Sequence, residues 1–268
     1  EAYRLYHDGM DMFGIELFDD AITLFRRAIE VDSSFALPYM RIGMALVFQG
    51  KQQQGASYFA LAKRWENRLP IRDRNMLDVY ADLWLTHRFD RAFPKAEAIV
   101  RDYPDDYESR TFYAMMLDVF GRDTSASKAQ LDTVLRINPQ FQLALSYLAD
   151  KRIAAGDLDG AIAYNKRIRD YHPESPSPLI ELGRLYARRM QFAEAIHEYQ
   201  LLMERFPDDA RGYFNLSDVY VRQRRFDDAA KLLGEVKRRF DTDHQKMANM
   251  YSRLSGLEAW SGRFRSAL

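Results

Sequence analysis

The sequence predicts an all-α solenoid of antiparallel helix hairpins, and three observations lead there. A short phrase recurs along the chain: FDDA at Phe18, FDRA at Phe89, LDGA at Leu158, FAEA at Phe192, FDDA at Phe226 and FRSA at Phe264. Successive starts lie 71, 69, 34, 34 and 38 residues apart, which is 34 or its double with small insertions, so the chain is a repeat array sharing one core. Each unit carries two stretches with apolar residues three and four apart, the mark of two amphipathic helices joined by a short turn. Pro104, Pro139, Pro173 and Pro207 close the second stretch of their units, because a proline ring clashes with a continuing helix.

In register, the repeats fall near residues 2–35, 36–72, 73–106, 107–141, 142–175, 176–209, 210–247 and 248–268 of one solenoid, the last cut off in its second helix. Repeats two and four lack the anchor phrase, yet the segments near Gln52 and Thr124 follow the turn glycines Gly50 and Gly121 and take its place. Repeat two carries Gly55 where alanine recurs elsewhere, repeat three has Tyr80 at a position otherwise small, and looser interfaces are expected at both. The insertion Glu66 to Arg72, with Pro70 inside it, is expected to lengthen the joint after repeat two. Pro94 is expected to shorten its helix, and repeat four has one extra residue before Asn138 and Pro139, where a looser interface is expected too. Repeat six is the most regular: Leu179, Leu182 and Tyr186 form one stripe, Phe192, Ala195, Ile196, Tyr199 and Leu202 the other, with Met190 and Gln191 in the turn. The open eighth repeat presents Leu254, Leu257 and Trp260 as a stripe on which a second copy would pair.

Two small-residue columns run through the register. The first helix has Gly9, Gly43, Ala114, Ala149, Gly183, Ser217 and Ser255, and the second has Ala21, Ala92, Ala161, Ala195, Ala229 and Ala267. Two helices approach closely only where one presents almost no side chain. A glycine inside a helix costs about 1 kcal/mol against alanine, so Gly9, Gly43 and Gly183 imply close packing that offsets it. The order small residue, aromatic, alanine, apolar, alanine, then Asn-Pro or its equivalent resembles the tetratricopeptide repeat family over essentially the whole chain. That resemblance implies a right-handed superhelix in which the first helices line a concave groove that accepts peptides. The stretch ENRLPIRDRNMLDVYADLW with FDRAFPKAEAIVRDYPDD is similar to repeat arrays in bacterial signalling and regulatory proteins, which implies a recognition region of a longer chain.

Composition narrows the chemistry. The 268 residues are 47% hydrophobic with 39 basic and 39 acidic side chains, so the charge balance gives no reason to expect a polyanion as partner. The basic clusters around Arg184, Arg222 and Lys237 have acidic neighbours, and nucleic acid is not expected. No cysteine is present, which excludes thiolate nucleophiles and Cys-bound metals. No apolar run reaches the roughly 20 residues of a membrane span, and the start EAYRLYHDGM has the look of an excised fragment; the cytoplasm is favoured over an extracytoplasmic place, which stays open. His7, His87, His172, His197 and His244 are scattered without metal-type pairing, and the pairs Asp105/Asp106 and Asp208/Asp209 follow prolines where helices begin, as the helix dipole prefers. No phosphate loop, metalloprotease helix or nucleophile elbow is present. The expectation is a non-enzyme without cofactor or metal.

On the resemblance, the groove positions of the first half include Tyr6, Met10, Met40, Met44, Trp84 and Phe112, an aromatic and Met-rich set, any one of which doubles as core. Those of the second half include Arg184, Arg188, Arg211, Asn215 and Arg222, with Asp150, Glu181 and Asp218 among them. Asn215 sits where family members use Asn to hold a ligand backbone. Aromatic and arginine side chains are the usual anchors of interfaces, so the expected function is a protein-binding scaffold gripping a peptide or protein segment. The alternative is a ligand-sensing regulatory region with a small molecule in the aromatic half. The terminal-carboxylate grip of some relatives is not reproduced by Tyr6, Met10 and Arg41 or by Ile180, Arg184 and Asn215.

Overall fold

The computed structural model describes the backbone of residues 1–261 and side chains through residue 257. Among these residues every regular element is helical: α1 (Ala2–Gly14), α2 (Phe18–Val31), α3 (Ala36–Phe48), α4 (Gln52–Lys63), a single 3₁₀ turn (Glu66–Arg68), α5 (Ile71–Trp84), α6 (Phe89–Asp102), α7 (Tyr107–Val119), α8 (Thr124–Ile137), α9 (Gln142–Ala154), α10 (Leu158–Tyr171), α11 (Ser177–Arg188), α12 (Phe192–Arg205), α13 (Ala210–Arg222), α14 (Phe226–Arg239) and α15 (His244–Ser261). Odd and even helices pair as hairpins. By backbone contacts the chain divides into two compact units, Glu1–Tyr147 and Leu148–Leu268, the division falling within α9.

Each hairpin turns through one residue of positive φ: Glu16, Gly50, His87, Gly121, Gly156, Met190 and Arg224. A left-handed residue after a helix frees the next amide to reach back to a terminal carbonyl. The Lys51 N–H donates to the Leu46 carbonyl at 2.8 Å, and the Gln191 N–H to that of Tyr186 at 2.9 Å. Helix starts are set by caps. The Asp106, Asp123, Asp157 and Asp209 carboxylates accept from the backbone N–H groups of Ser109, Ala126, Gly160 and Arg211; the sequence placed Asp106 and Asp209 at helix starts for the dipole, and the structure makes them caps as well.

Three expectations about irregular repeats are corrected. Pro94 lies within α6, yet α6 has 14 residues, as many as α2. The hairpin containing Gly55 is tight, not loose: a Cβ there would lie 2.7 Å from the Gly43 carbonyl oxygen and 2.8 Å from a Val47 methyl. At Tyr80 the sizes of the hairpin pair are exchanged. Seven residues into α2, α4 and α12 stand Phe25, Phe59 and Tyr199, and a Cβ on Gly9 or Gly43 would meet its ring within 2.6 Å, with Gly183 as close to Tyr199. In the third hairpin the second helix offers Ala96 at that place and the first offers Tyr80, both buried. The pair keeps its volume, which is what a core requires. The insertion after repeat two forms the 3₁₀ turn and an extended Leu69–Pro70 joint, so α5 begins at Ile71. The last first-helix starts at His244, four residues before the expected place, where the Asp243 carboxylate accepts from the Lys246 N–H at 3.0 Å.

In the first unit the core runs from Leu5, Tyr6, Ile22 and Phe25 to a second cluster around Met40, Phe59, Leu77, Tyr80 and Phe112. Burying such a side chain contributes roughly 1.5–3 kcal/mol. In the second unit Leu179, Tyr199, Leu202, Tyr213, Leu233 and Val236 form the main cluster. The stripe expected to pair with another copy is partly used here: Leu257 is buried and Leu254 packs on this cluster. The Trp260 side chain, Phe264 and Ala267 lie outside the described residues. Ser255 is exposed. No described helix is long and apolar enough to cross a membrane.

Candidate partner-binding site

In the second unit, three residues on α11 recur on α13 with a shift of 34: Glu181, Arg184 and Arg188 become Asn215, Asp218 and Arg222. Spacings of three and four place each trio on one helix face, and α11 and α13 touch directly. The two trios therefore stand side by side as three rungs. Together with Ile153 of α9 and Tyr199 of α12 they line a concave pocket of about 460 Å³, floored by the buried Leu185, Ala187, Tyr199 and Val219. Four of the residues selected from sequence, Arg184, Arg188, Asn215 and Arg222, thus converge. Arg211 does not join them, because its guanidinium is bound to the capping carboxylate of Asp209 at 2.5 Å.

The charges in this pocket are unevenly matched. Arg184 pairs with Glu181 at 2.7 Å, and Asp218 receives Arg253 of α15 at 3.3 Å. Arg188 and Arg222 form no ion pair among the described residues; Arg222 lies over the Phe192 ring at 5.1 Å. The Asn215 amide has no hydrogen-bond partner among them either. Burial, with the Glu181 charge adding to it and Arg184 opposing, raises the Asp150 carboxyl above its usual range. Burial likewise pushes the Tyr199 phenol up, so it stays neutral as part of the floor.

The aromatic, Met-rich set in the first unit has another use. Tyr6, Met40, Met44 and Phe112 are buried, 2–7% exposed, and Met10 and Trp84 are half-buried against the same clusters. Trp84 stacks on Phe59 at 5.4 Å, and Tyr80 meets Phe112 edge-on at 4.9 Å. Tyr6, Met40, Met44 and Phe112 are therefore core side chains, and Met10 and Trp84 lie at the core's margin.

What the sequence reading missed in this unit is an ionic network. Arg41 of α3 donates to Glu108 of α7 at 2.9 Å. Arg72, at the start of α5, forks onto Asp106 through Nε at 2.6 Å and Nη2 at 2.9 Å, and reaches Glu108 at 3.4 Å and Asp73 at 2.5 Å. Burial disfavours the Arg72 charge, but the surrounding carboxylates outweigh it and raise its pKa. Arg41 lowers the Glu108 carboxyl, more than its burial raises it. The clue lay in the insertion Glu66 to Arg72, where Arg72 follows Pro70 into a helix start. A second missed group is the pocket floor, since Tyr199 comes from a second helix.

Among the described residues no group of three or more metal-binding side chains is gathered. Residues 180–244, the pocket helices among them, match the tetratricopeptide repeat family. No protein with curated annotation matches the sequence significantly. Among solved structures, the chain is similar to one in the APC/C hetero-tetramer Cut9-Hcn1, with 13% identity, 92% of this chain covered and a TM-score of 0.50; this chain spans 55% of that one's length. It is also similar to MamA, with 15% identity over 74% of this chain and 97% of that one at a TM-score of 0.49, and to the TPR2AB domain of yeast Sti1 in complex with pHSP90, with 14% identity over 97% and 98% at 0.41. At 13% identity the likeness to the Cut9-Hcn1 chain is one of fold. The tetratricopeptide match thus covers the pocket helices of residues 180–244, and the close glycine–aromatic contact found there at Gly183 recurs outside the match at Gly9 and Gly43.

Proposed function

We propose that the chain is a non-catalytic scaffold that holds a peptide or protein segment against the pocket on α11 and α13. The observation that carries this reading is the convergence of Arg184, Arg188, Asn215 and Arg222 around an apolar floor in one concavity. Guanidinium and amide groups at the rim of a buried apolar surface are the composition of interface hot spots. A small ligand in the aromatic half is the weaker reading, since Tyr6, Met40, Met44 and Phe112 are spent on the core. Nucleic acid is disfavoured by the local pairing of basic residues, such as Arg225 with Asp228 at 2.8 Å. The resemblance noted from sequence supports a setting within a larger, cytoplasmic regulatory protein.

The test is a peptide array probed with the whole chain, the Arg184→Glu/Arg188→Glu double variant and Lys231→Glu, which changes an exposed residue of α14. Reversing contact charges is expected to cost about tenfold or more in affinity, while Lys231→Glu binds as wild type. Equal binding by all three proteins contradicts the reading.

A further inference from the structure

The lowest rung of the pocket pairs Arg188 with Arg222, two like charges on touching helices with no carboxylate bound to either among the described residues. The two carboxylates that line the pocket are committed, Glu181 to Arg184 and Asp218 to Arg253. Two positive charges are therefore left over in the concavity, and about two turns along α13 from Arg222 lies an Asn215 amide that is not hydrogen-bonded. Packed helix axes lie about 8–10 Å apart, and an extended chain advances about 3.1–3.4 Å per residue, so side chains three residues apart match the rung. In a polyproline-type conformation every third side chain also returns to the same face.

We propose that the segment bound here is extended and acidic, with two carboxylate side chains three residues apart, one on Arg188 and one on Arg222, and its backbone held by Asn215. This rests on the scaffold reading above and specifies its partner. The match is between internal carboxylates and a repeated position of two consecutive first helices, so it needs no chain terminus. Carboxylates three residues apart are recognised as a pair, and a single one gains only one of the two contacts.

The experiment is fluorescence anisotropy of the whole chain with capped, fluorescein-labelled octapeptides of Ser and Pro bearing Glu-x-x-Glu, Glu-x-Glu, a single Glu, Gln-x-x-Gln, or two phosphoserines three apart. The expected result is Glu-x-x-Glu binding at least tenfold more tightly than the Gln peptide and severalfold more tightly than Glu-x-Glu, the advantage shrinking with added salt. Arg188→Gln/Arg222→Gln is expected to erase the advantage with an unchanged melting temperature, both residues being exposed. Asn215→Ala is expected to weaken all the peptides alike. Equal affinity for Glu and Gln peptides, indifference to spacing, or binding of the phosphoserine peptide alone overturns the proposal. If neutral peptides bind and lose affinity on Asn215→Ala, the scaffold reading stands and only the acidic segment falls; if no peptide binds here or on the array, both fall.

Discussion

Gly183 and Gly234 are both helical glycines, yet a methyl group has opposite consequences at the two. At Gly183 a Cβ meets the Tyr199 ring, whereas at Gly234 nothing lies within 4 Å. Alanine gains about 1 kcal/mol of helix propensity at either site, but overpacking costs about 1–3 kcal/mol where no space exists. Gly183→Ala is therefore expected to lower the urea midpoint and Gly234→Ala to raise it; the same sign at both sites refutes the packing account. The glycine column at 9, 43 and 183 was legible in the sequence, because a costly residue recurring mid-stripe needs a partner. The exchange at Tyr80 was not, since Ala96 looks unremarkable until it is known to stand opposite.

At the scale of elements, α3, α5 and α7 are tied by ions as well as by apolar packing. Glu108 is the shared partner of Arg41 and Arg72, and its folded pKa lies below the ordinary 4.5 chiefly through Arg41. A depressed carboxyl contributes stability that is present above the unfolded value and lost as pH falls through the folded one. Acidification below about pH 4.5 is thus expected to weaken the wild type more steeply than Glu108→Gln. At neutral pH that variant is expected to be less stable by roughly 1.5–3 kcal/mol, the scale of a hydrogen bond to a charged group. Parallel pH–stability curves for the two proteins contradict the network's role. Helix existence and pairing were readable from local periodicity and proline stops. The network joins residues up to 67 apart, and no local pattern announces it.

For the whole chain, one period explains both what was readable and what was not. The shift of 34 that sets the hairpins also copies Glu181, Arg184 and Arg188 onto Asn215, Asp218 and Arg222, so a site made of repeated positions was visible as soon as the register was. The aromatic positions occupy the same helices, but whether such a stripe faces a groove or a neighbouring hairpin depends on the packing around it. Packing decided for the core at Tyr6, Met40, Met44 and Phe112. The balanced total of 39 basic and 39 acidic residues likewise hid the local excess at Arg188 and Arg222, because pairing and not composition determines which charges are left for a partner.

The measurement that bears most directly on the central claim is photo-cross-linking from within the pocket. A photoreactive amino acid is placed in the whole chain at position 153, on the pocket lining, or at position 231 on the exposed side of α14, and irradiated with a random peptide library. Covalent adducts are expected from position 153, not from 231, and are expected to disappear when Arg184→Glu and Arg188→Glu are added. Adducts from 231 alone, or adducts at 153 that survive the charge reversal undiminished, contradict the assignment of this pocket as the binding site.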